Sequence, residues 1–227
     1  MKTCLVLEGG AMRGMYTAGA LDVFYNAGIQ FDGIIGVSAG AAFGVNYLSR
    51  QPGRVIRYNK RFNADHHYMG LIPLLKTGNI VDTDYAYDKV PRELDPFDGD
   101  TFDASGVPFW AVVTNVETGQ PEYIRLEHAM AQMDVIRASA SMPLASQIVS
   151  VGNRNLLDGG IADSIPLKFI QTQGYAKNVV ILTQPLDYVK KKNKLMPLMK
   201  VVYRQYPNLL GTMAKRHAVY NEATAYI

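Results

Sequence analysis

Three short glycine-containing segments of this 227-residue chain carry the residue types and spacings that chemistry needs. Gly36-Val37-Ser38-Ala39-Gly40 sets a serine between two glycines, directly after an apolar run and directly before helix-forming residues. A nucleophile elbow needs that context: a sharp strand-to-helix turn projects the hydroxyl beyond the sheet, and the glycines let strand and helix approach. The same residues would also serve as a glycine-lined turn whose serine caps a helix. Gly9-Gly10-Ala11-Met12-Arg13-Gly14 is a second loop between a strand and a helix, where backbone N–H groups favour negative charge. Acyl transfer needs such donors for the oxyanion of its tetrahedral intermediate, and Arg13 adds a permanent positive charge. A phosphate- or nucleotide-binding loop competes for this segment, but it has no G-x-G-x-x-G register and no Gly-Lys-Ser/Thr follows. Asp158-Gly159-Gly160 closes a predicted strand, the place where ligands gather in an open parallel sheet. Standing alone, it also reads as an ordinary aspartate turn.

The histidine that would complete a serine triad has no suitable place. His66 and His67 fall in an irregular region, His128 follows a hairpin, and His217 sits in a basic tail; none follows a strand as a hydrolase histidine should. The base is therefore expected to be a carboxylate.

Strands and helices must hold these segments in place. An apolar strand over residues 3–7 precedes the first loop, and a helix over 15–27 follows it, stopped by Gly28 in the position glycine prefers. A strand over 30–37 leads into Ser38 and a second helical entry. Strands alternating with helices imply parallel strands covered by helices on both faces. From about 50 to 106 the pattern weakens into an insert of helices and loops, basic and possibly helical at 50–61. Its acidic stretch suggests calcium only weakly, because Asp95, Asp98, Asp100 and Asp103 miss the EF-hand spacing. A hairpin is expected from 109–114 and 122–126, a helix over 129–140, strands at 155–158 and 178–183, and a final helix over 213–227. With no repeat and no low-complexity linker, residues 1–227 read as a single domain.

Composition narrows the class. Hydrophobic residues make up 48% of the chain and charged residues 19%, enough for one sizeable core. The apolar runs are too short to cross a bilayer, and the first one breaks at Glu8, too early for a signal core, so a cytoplasmic protein is expected. One cysteine, Cys4, excludes an internal disulfide framework and a cysteine-rich zinc site. Net charge is +3, but residues 187–227 hold eight Lys/Arg against two Asp/Glu. That tail is either a solvated face or a contact for an anionic membrane surface; no aromatic-basic signature points to nucleic acid.

Together the three segments, with the intervening Arg137-Ala138-Ser139-Ala140-Ser141-Met142-Pro143, resemble the ordered motifs of patatin-like phospholipases, most of all the small bacterial members. The resemblance covers residues 3 to about 185. It implies a three-layer α/β/α fold with a mostly parallel central sheet, and a Ser38–Asp158 dyad without metal or cofactor. It also implies an oxyanion hole around Gly9, Gly10 and Ala11, supported by Arg13 and Gly14, with Gly36, Gly40, Gly159 and Gly160 shaping the two turns. Ala11 departs from the family pattern, which commonly has a third glycine there. The chain also stops inside its last helix where similar proteins often continue, as a truncated form or a short variant would. The expected activity is hydrolysis of a lipid ester through an acyl-enzyme. Alternatives are a non-catalytic lipid- or acyl-binding protein of the same fold and a phosphate- or nucleotide-binding module built on the 9–14 loop. Apolar residues Leu71, Ile72, Leu74, Leu75, Leu195, Met196, Leu198 and Met199 are read as core, as acyl-channel lining or as membrane contacts. Acyl length, headgroup, oligomeric state and pathway stay open.

Overall fold

The computed structural model describes residues 1–62, 65 and 67–227. Its centre is four parallel strands in the order β7 (Lys177–Ile181), β1 (Thr3–Leu7), β2 (Gly33–Val37) and β3 (Phe109–Asn115). β1, β2 and β3 are apolar on nearly every residue because both faces of the sheet are covered. Alternation along each strand sorts the core into two. Leu5, Leu7, Ile34, Phe109, Ala111 and Val113 face α1 (Gly14–Asn26), α2 (Ala39–Leu48), α5 (Gly99–Ala104) and α6 (Met133–Ser139). Cys4, Val6, Ile35, Val37, Trp110 and Val112 face α7 (Leu167–Thr172) and α9 (Pro207–Tyr226). Three layers result.

Beyond β3 the sheet turns antiparallel. β4 (Pro121–Leu126) pairs along one edge of β3 as the expected hairpin. β6 (Arg154–Asp158) forms its own hairpin with β5 (Val149–Val151) and pairs antiparallel with β3. The registers locate β6. β4 occupies Phe109 to Thr114 of β3 along its whole length; β2 pairs only with Phe109 to Val112, and β6 only with Val113 to Asn115. A strand has two edges, so β2 and β6 must share one, running toward each other. β2 ends opposite Val112 and β6 ends opposite Val113.

Several expectations shift. The second strand begins at Gly33 rather than at 30, because Asp32 is held in the turn: its N–H donates to Thr3 O and its carboxylate accepts the Thr3 N–H at 2.7 Å. The helix expected over 129–140 starts only at Met133. The basic helix of the insert runs Arg54–Phe62, α3, since Arg50 and Gly53 both take positive φ ahead of it. α4 (Leu71–Thr77), a wide-turned π-helical segment (Tyr85–Leu94) and α5 complete the insert. The tail folds as α8 (Met196–Val202) and α9, which pack Met199, Tyr203, Leu209 and Met213 against Leu157 of β6.

Three of the four acidic residues considered for calcium have other partners. Asp95 is buried between Arg54 and Arg57, Asp98 caps α5 by accepting the Thr101 N–H, and Asp103 pairs with His128. Among the described residues no three His, Cys, Asp or Glu side chains are grouped to hold a metal ion.

Candidate active site

Where β2 and β6 meet, Ser38 and Asp158 come face to face, brought together by strands 120 residues apart in sequence. The sequence reading placed Asp158 at a strand end in an open, mostly parallel sheet; β6 does end there, but it runs antiparallel to β3. The carboxylate approaches from the far side and stops one pair beyond Val37.

Ser38 has φ +56 and ψ −122, a conformation that costs a non-glycine residue about 1–3 kcal/mol. Its surroundings hold it there. The Ser38 N–H donates to Ser139 Oγ at 2.9 Å, and Ser139 Oγ donates to Val112 O at 2.6 Å. One hydroxyl from α6 thus ties the turn to the neighbouring strand. At Gly36 a Cβ would lie 2.5 Å from Ala41 N, so only glycine lets β2 pass under the first turn of α2.

The 9–14 loop lies against this turn. A Cβ on Gly9 would fall 2.8 Å from Ser38 Cβ and 2.9 Å from Val37 O. Ala11–Arg13 form a single 3-10 turn closed by the Arg13 N–H onto Gly10 O. The N–H groups that open this turn have no acceptor inside it, and the same holds for Ala39 at the start of α2. Ala11 takes φ +48, the left-handed conformation that a third glycine would adopt freely. Thr183 braces the loop: its Oγ1 donates to Gly9 O, and its own N–H is held by the buried carboxylate of Glu8.

Asp158 is buried, and burial pushes its carboxyl above the ordinary range. The neighbouring Ser38 hydroxyl, the hydrogen-bonded Gly160 N–H and the positive charge of Arg216 oppose that rise without cancelling it. The Gly160 N–H lies 2.7 Å from Asp158 Oδ1. Thr114 Oγ1 donates to the Asp158 carbonyl at 2.8 Å, and Arg216 Nε donates to the Gly160 carbonyl.

The ordered loops find their counterpart among known proteins. The family model described as patatin-like phospholipase matches residues 5–169. This chain belongs to the patatin-like phospholipase family. Over 190 residues the patatin-like chain is also 35% identical to the uncharacterized protein YjjU of Escherichia coli (strain K12). That match takes in 81% of this chain and 52% of YjjU, so the chain spans about half the length of the curated relative it matches.

Imidazole plays no part in this patatin-like arrangement among the described histidines. His67 pairs with Asp65 and His128 with Asp103, both histidines on the surface, and His217 lies on α9; His66 falls outside the described residues. The sequence did not single out Ser139, Thr114, Thr183, Glu8 or Arg216 individually. Ser139 was within reach, since it sits inside the 137–143 segment; the others have no local signature and are found only through contacts.

A cavity of about 310 Å³ opens beside Ser38 between α2 and the insert. Ala11, Met12 and Met142, which are open to solvent, and Tyr58, Val90 and Phe97, which are buried, all line it. None of the eight apolar residues considered for a channel lines it. Leu71 and Leu75 are instead exposed on α4, and Met199 is buried in the tail.

Proposed function

We propose that this patatin-like protein is a serine acyl hydrolase of lipid esters, with Ser38 as nucleophile and Asp158 as general base. The observation that supports it most is the end-on meeting of β2 and β6, which sets a strained serine against a buried carboxylate at the mouth of an apolar cavity. In this reading Ser38 Oγ attacks the ester carbonyl carbon while its proton passes to Asp158. The N–H groups around Gly9, Gly10 and Ala11 receive the negative charge on the carbonyl oxygen, and Arg13 and Gly14 support their loop. Asp158 then protonates the departing alkoxide, leaving an acyl-Ser38 ester. A water that gives one proton to Asp158 attacks this ester, and Asp158 returns that proton to Ser38 Oγ as the carboxylic acid leaves.

A free aspartate sits about three pH units below neutrality, a handicap of about 4 kcal/mol for a base. The upward shift of Asp158 reduces that deficit. Each glycine serves geometry: Gly36 and Gly40 shape the serine turn, Gly159 and Gly160 the aspartate turn. The chain is proposed to act as one patatin-like unit, its insert walling the cavity.

A fluorophosphonate probe should label Ser38, and Ser38→Ala and Asp158→Asn should each abolish hydrolysis of short-chain aryl esters. Unlabelled wild-type protein that still binds acyl chains would make it a lipid-binding relative instead. A nucleotide-dependent rise in melting temperature would favour a phosphate site at the 9–14 loop.

Membrane contact belongs to the same proposal. Lys191, Lys192 and Lys194 are exposed beside exposed Val189 and Leu195. Lys190 is not among these free charges: it covers the Tyr220 ring at 4.2 Å, and burial pulls it down to about 8. Among the described residues no helix is long and apolar enough to cross a membrane. Binding to anionic vesicles that weakens with salt is the expected result, at about 1 kcal/mol per lysine; equal binding to neutral vesicles would refute it.

A further inference from the structure

The cavity beside Ser38 has a fixed floor, and its depth sets a chain length. α2 forms one wall: Ser38, Ala39, Ala42 and Phe43 all line it, the small side chains leaving room along the helix. Arg54 of α3 lines it too, and its Nη1 donates at 2.8 Å to Asn46 Oδ1, on a residue of α2 that does not itself line the cavity. Asn46 lies eight residues beyond Ser38 on the same helix, about 12 Å at 1.5 Å per residue. Arg54 is itself a lining residue and is only 4% exposed. Tyr58 and Phe97, whose rings lie beneath it, are buried too, whereas the lining residues Met12, in the loop against Ser38, and Met142 are exposed. The cavity is therefore open at the serine and blind at the arginine.

That floor cannot yield to a longer chain. Arg54 Nε donates to the backbone carbonyls of Asp95 and Pro96 at 3.1 and 3.3 Å, and Nη2 donates to the Asp95 carbonyl. Its guanidinium also lies over the rings of Tyr58 and Phe97, at 5.3 and 5.5 Å. Displacing it would strip these carbonyls of their donors and take a cation from the buried Asp95 carboxylate. An alkyl chain offers nothing in return for either loss.

Two independent measures of the space agree. Carbon–carbon bonds of about 1.5 Å at the tetrahedral angle advance about 1.25 Å per methylene, so 12 Å of depth takes about ten carbons. A 150 Å³ apolar cavity accommodates benzene, six carbons, so about 310 Å³ accommodates about a dozen. We propose that Arg54 closes the acyl pocket and restricts this protein to esters of medium-chain acids, about eight to twelve carbons long.

This rests on the acyl-hydrolase reading and deepens it. The experiment is kcat/KM on p-nitrophenyl esters from acetate to palmitate, for the full chain and for Ala42→Leu. Ala42 lies one turn, about 6 Å, beyond Ser38 and faces the cavity without belonging to the serine turn. The wild type should peak at eight to ten carbons and lose at least tenfold by palmitate. Ala42→Leu should lower the decanoate-to-acetate ratio of kcat/KM at least tenfold. Ala86→Leu, from the π-helical segment, gives the same reading if Ala42→Leu disturbs α2. An active enzyme that cleaves palmitate as well as decanoate, or a profile unmoved by both variants, overturns the proposal.

Should no ester be cleaved and Ser38 resist fluorophosphonate, the hydrolase reading falls while the floor is still tested by binding. Ser38→Ala protein titrated calorimetrically with n-alkyl carboxylates of four to sixteen carbons should gain about fourfold in affinity per methylene. The gain should stop near ten carbons. Affinity that climbs unbroken to sixteen, or ignores length, would sink the floor whatever the chemistry.

Discussion

Ser139→Ala tests whether the serine turn is held by a single buried hydroxyl. The substitution removes the acceptor of the Ser38 N–H and the donor to Val112 O, both in a region closed to water. A buried N–H left without a partner costs about 1–3 kcal/mol. The Val112 carbonyl, within a paired strand, loses less. A total of about 2–3 kcal/mol follows, which for a chain of this size lowers Tm by about 4–12 °C. Turnover should suffer more than stability. Without its tether Ser38 can relax from φ +56, and a displacement of 1 Å at a reacting atom costs about a hundredfold in rate. Denaturant unfolding gives the first quantity; kcat on an aryl ester, with the protein verified as folded, gives the second. Ser141→Ala is the control, because Ser141 Oγ donates only to Arg137 O one turn back in its own segment. It should leave kcat within about twofold. If Ser139→Ala turns over like the wild type, the tether does not hold the nucleophile, and the reasoning from backbone strain to activity fails.

Other outcomes follow from the same geometry. Asp158 has a folded pKa raised by burial, so its ionised form opposes folding: stability falls as pH rises from about 3.8 through the folded pKa. Asp158→Asn should therefore be at least as stable as the wild type at pH 8 by thermal melting, its advantage vanishing below pH 4, while being inactive throughout. Ala11→Gly should gain about 1 kcal/mol in denaturant unfolding by relieving φ +48 at an exposed position, without loss of activity. Asp95→Ala removes the only carboxylate within reach of buried Arg54 among the described residues, and should cost about 3 kcal/mol or more in the same assay.

Local chemistry made much of this readable in advance. The strand–loop–helix units were marked by apolar runs ending in glycine, and Gly28 stops α1 with φ +68 as glycine beyond a helix does. Ser38 was legible because an elbow needs small residues at fixed offsets. Asp158 was read at a strand end, where β6 does end, but nothing in residues 154–160 encodes that this strand runs antiparallel to β3. The cavity was not legible: Leu71 and Leu75, read as core, channel lining or membrane contacts, are exposed on α4, whereas the lining comes from tyrosines and small residues scattered through α2 and the insert. Braces such as Thr114, Thr183 and Arg216 escape a linear reading, since each acts on a backbone carbonyl distant in sequence.

The abutment of β2 and β6 also permits an order of assembly. The parallel strands β1, β2 and β3 can associate with β7 before the β5–β6 hairpin docks, yet the carboxylate arrives only with that hairpin, which must find the half-vacant rim of β3. Trp110, the chain's single tryptophan, lies on β3 within the parallel portion. During refolding its fluorescence should return ahead of enzymatic competence. The interval between the two signals would time the docking of a short hairpin onto a platform already built.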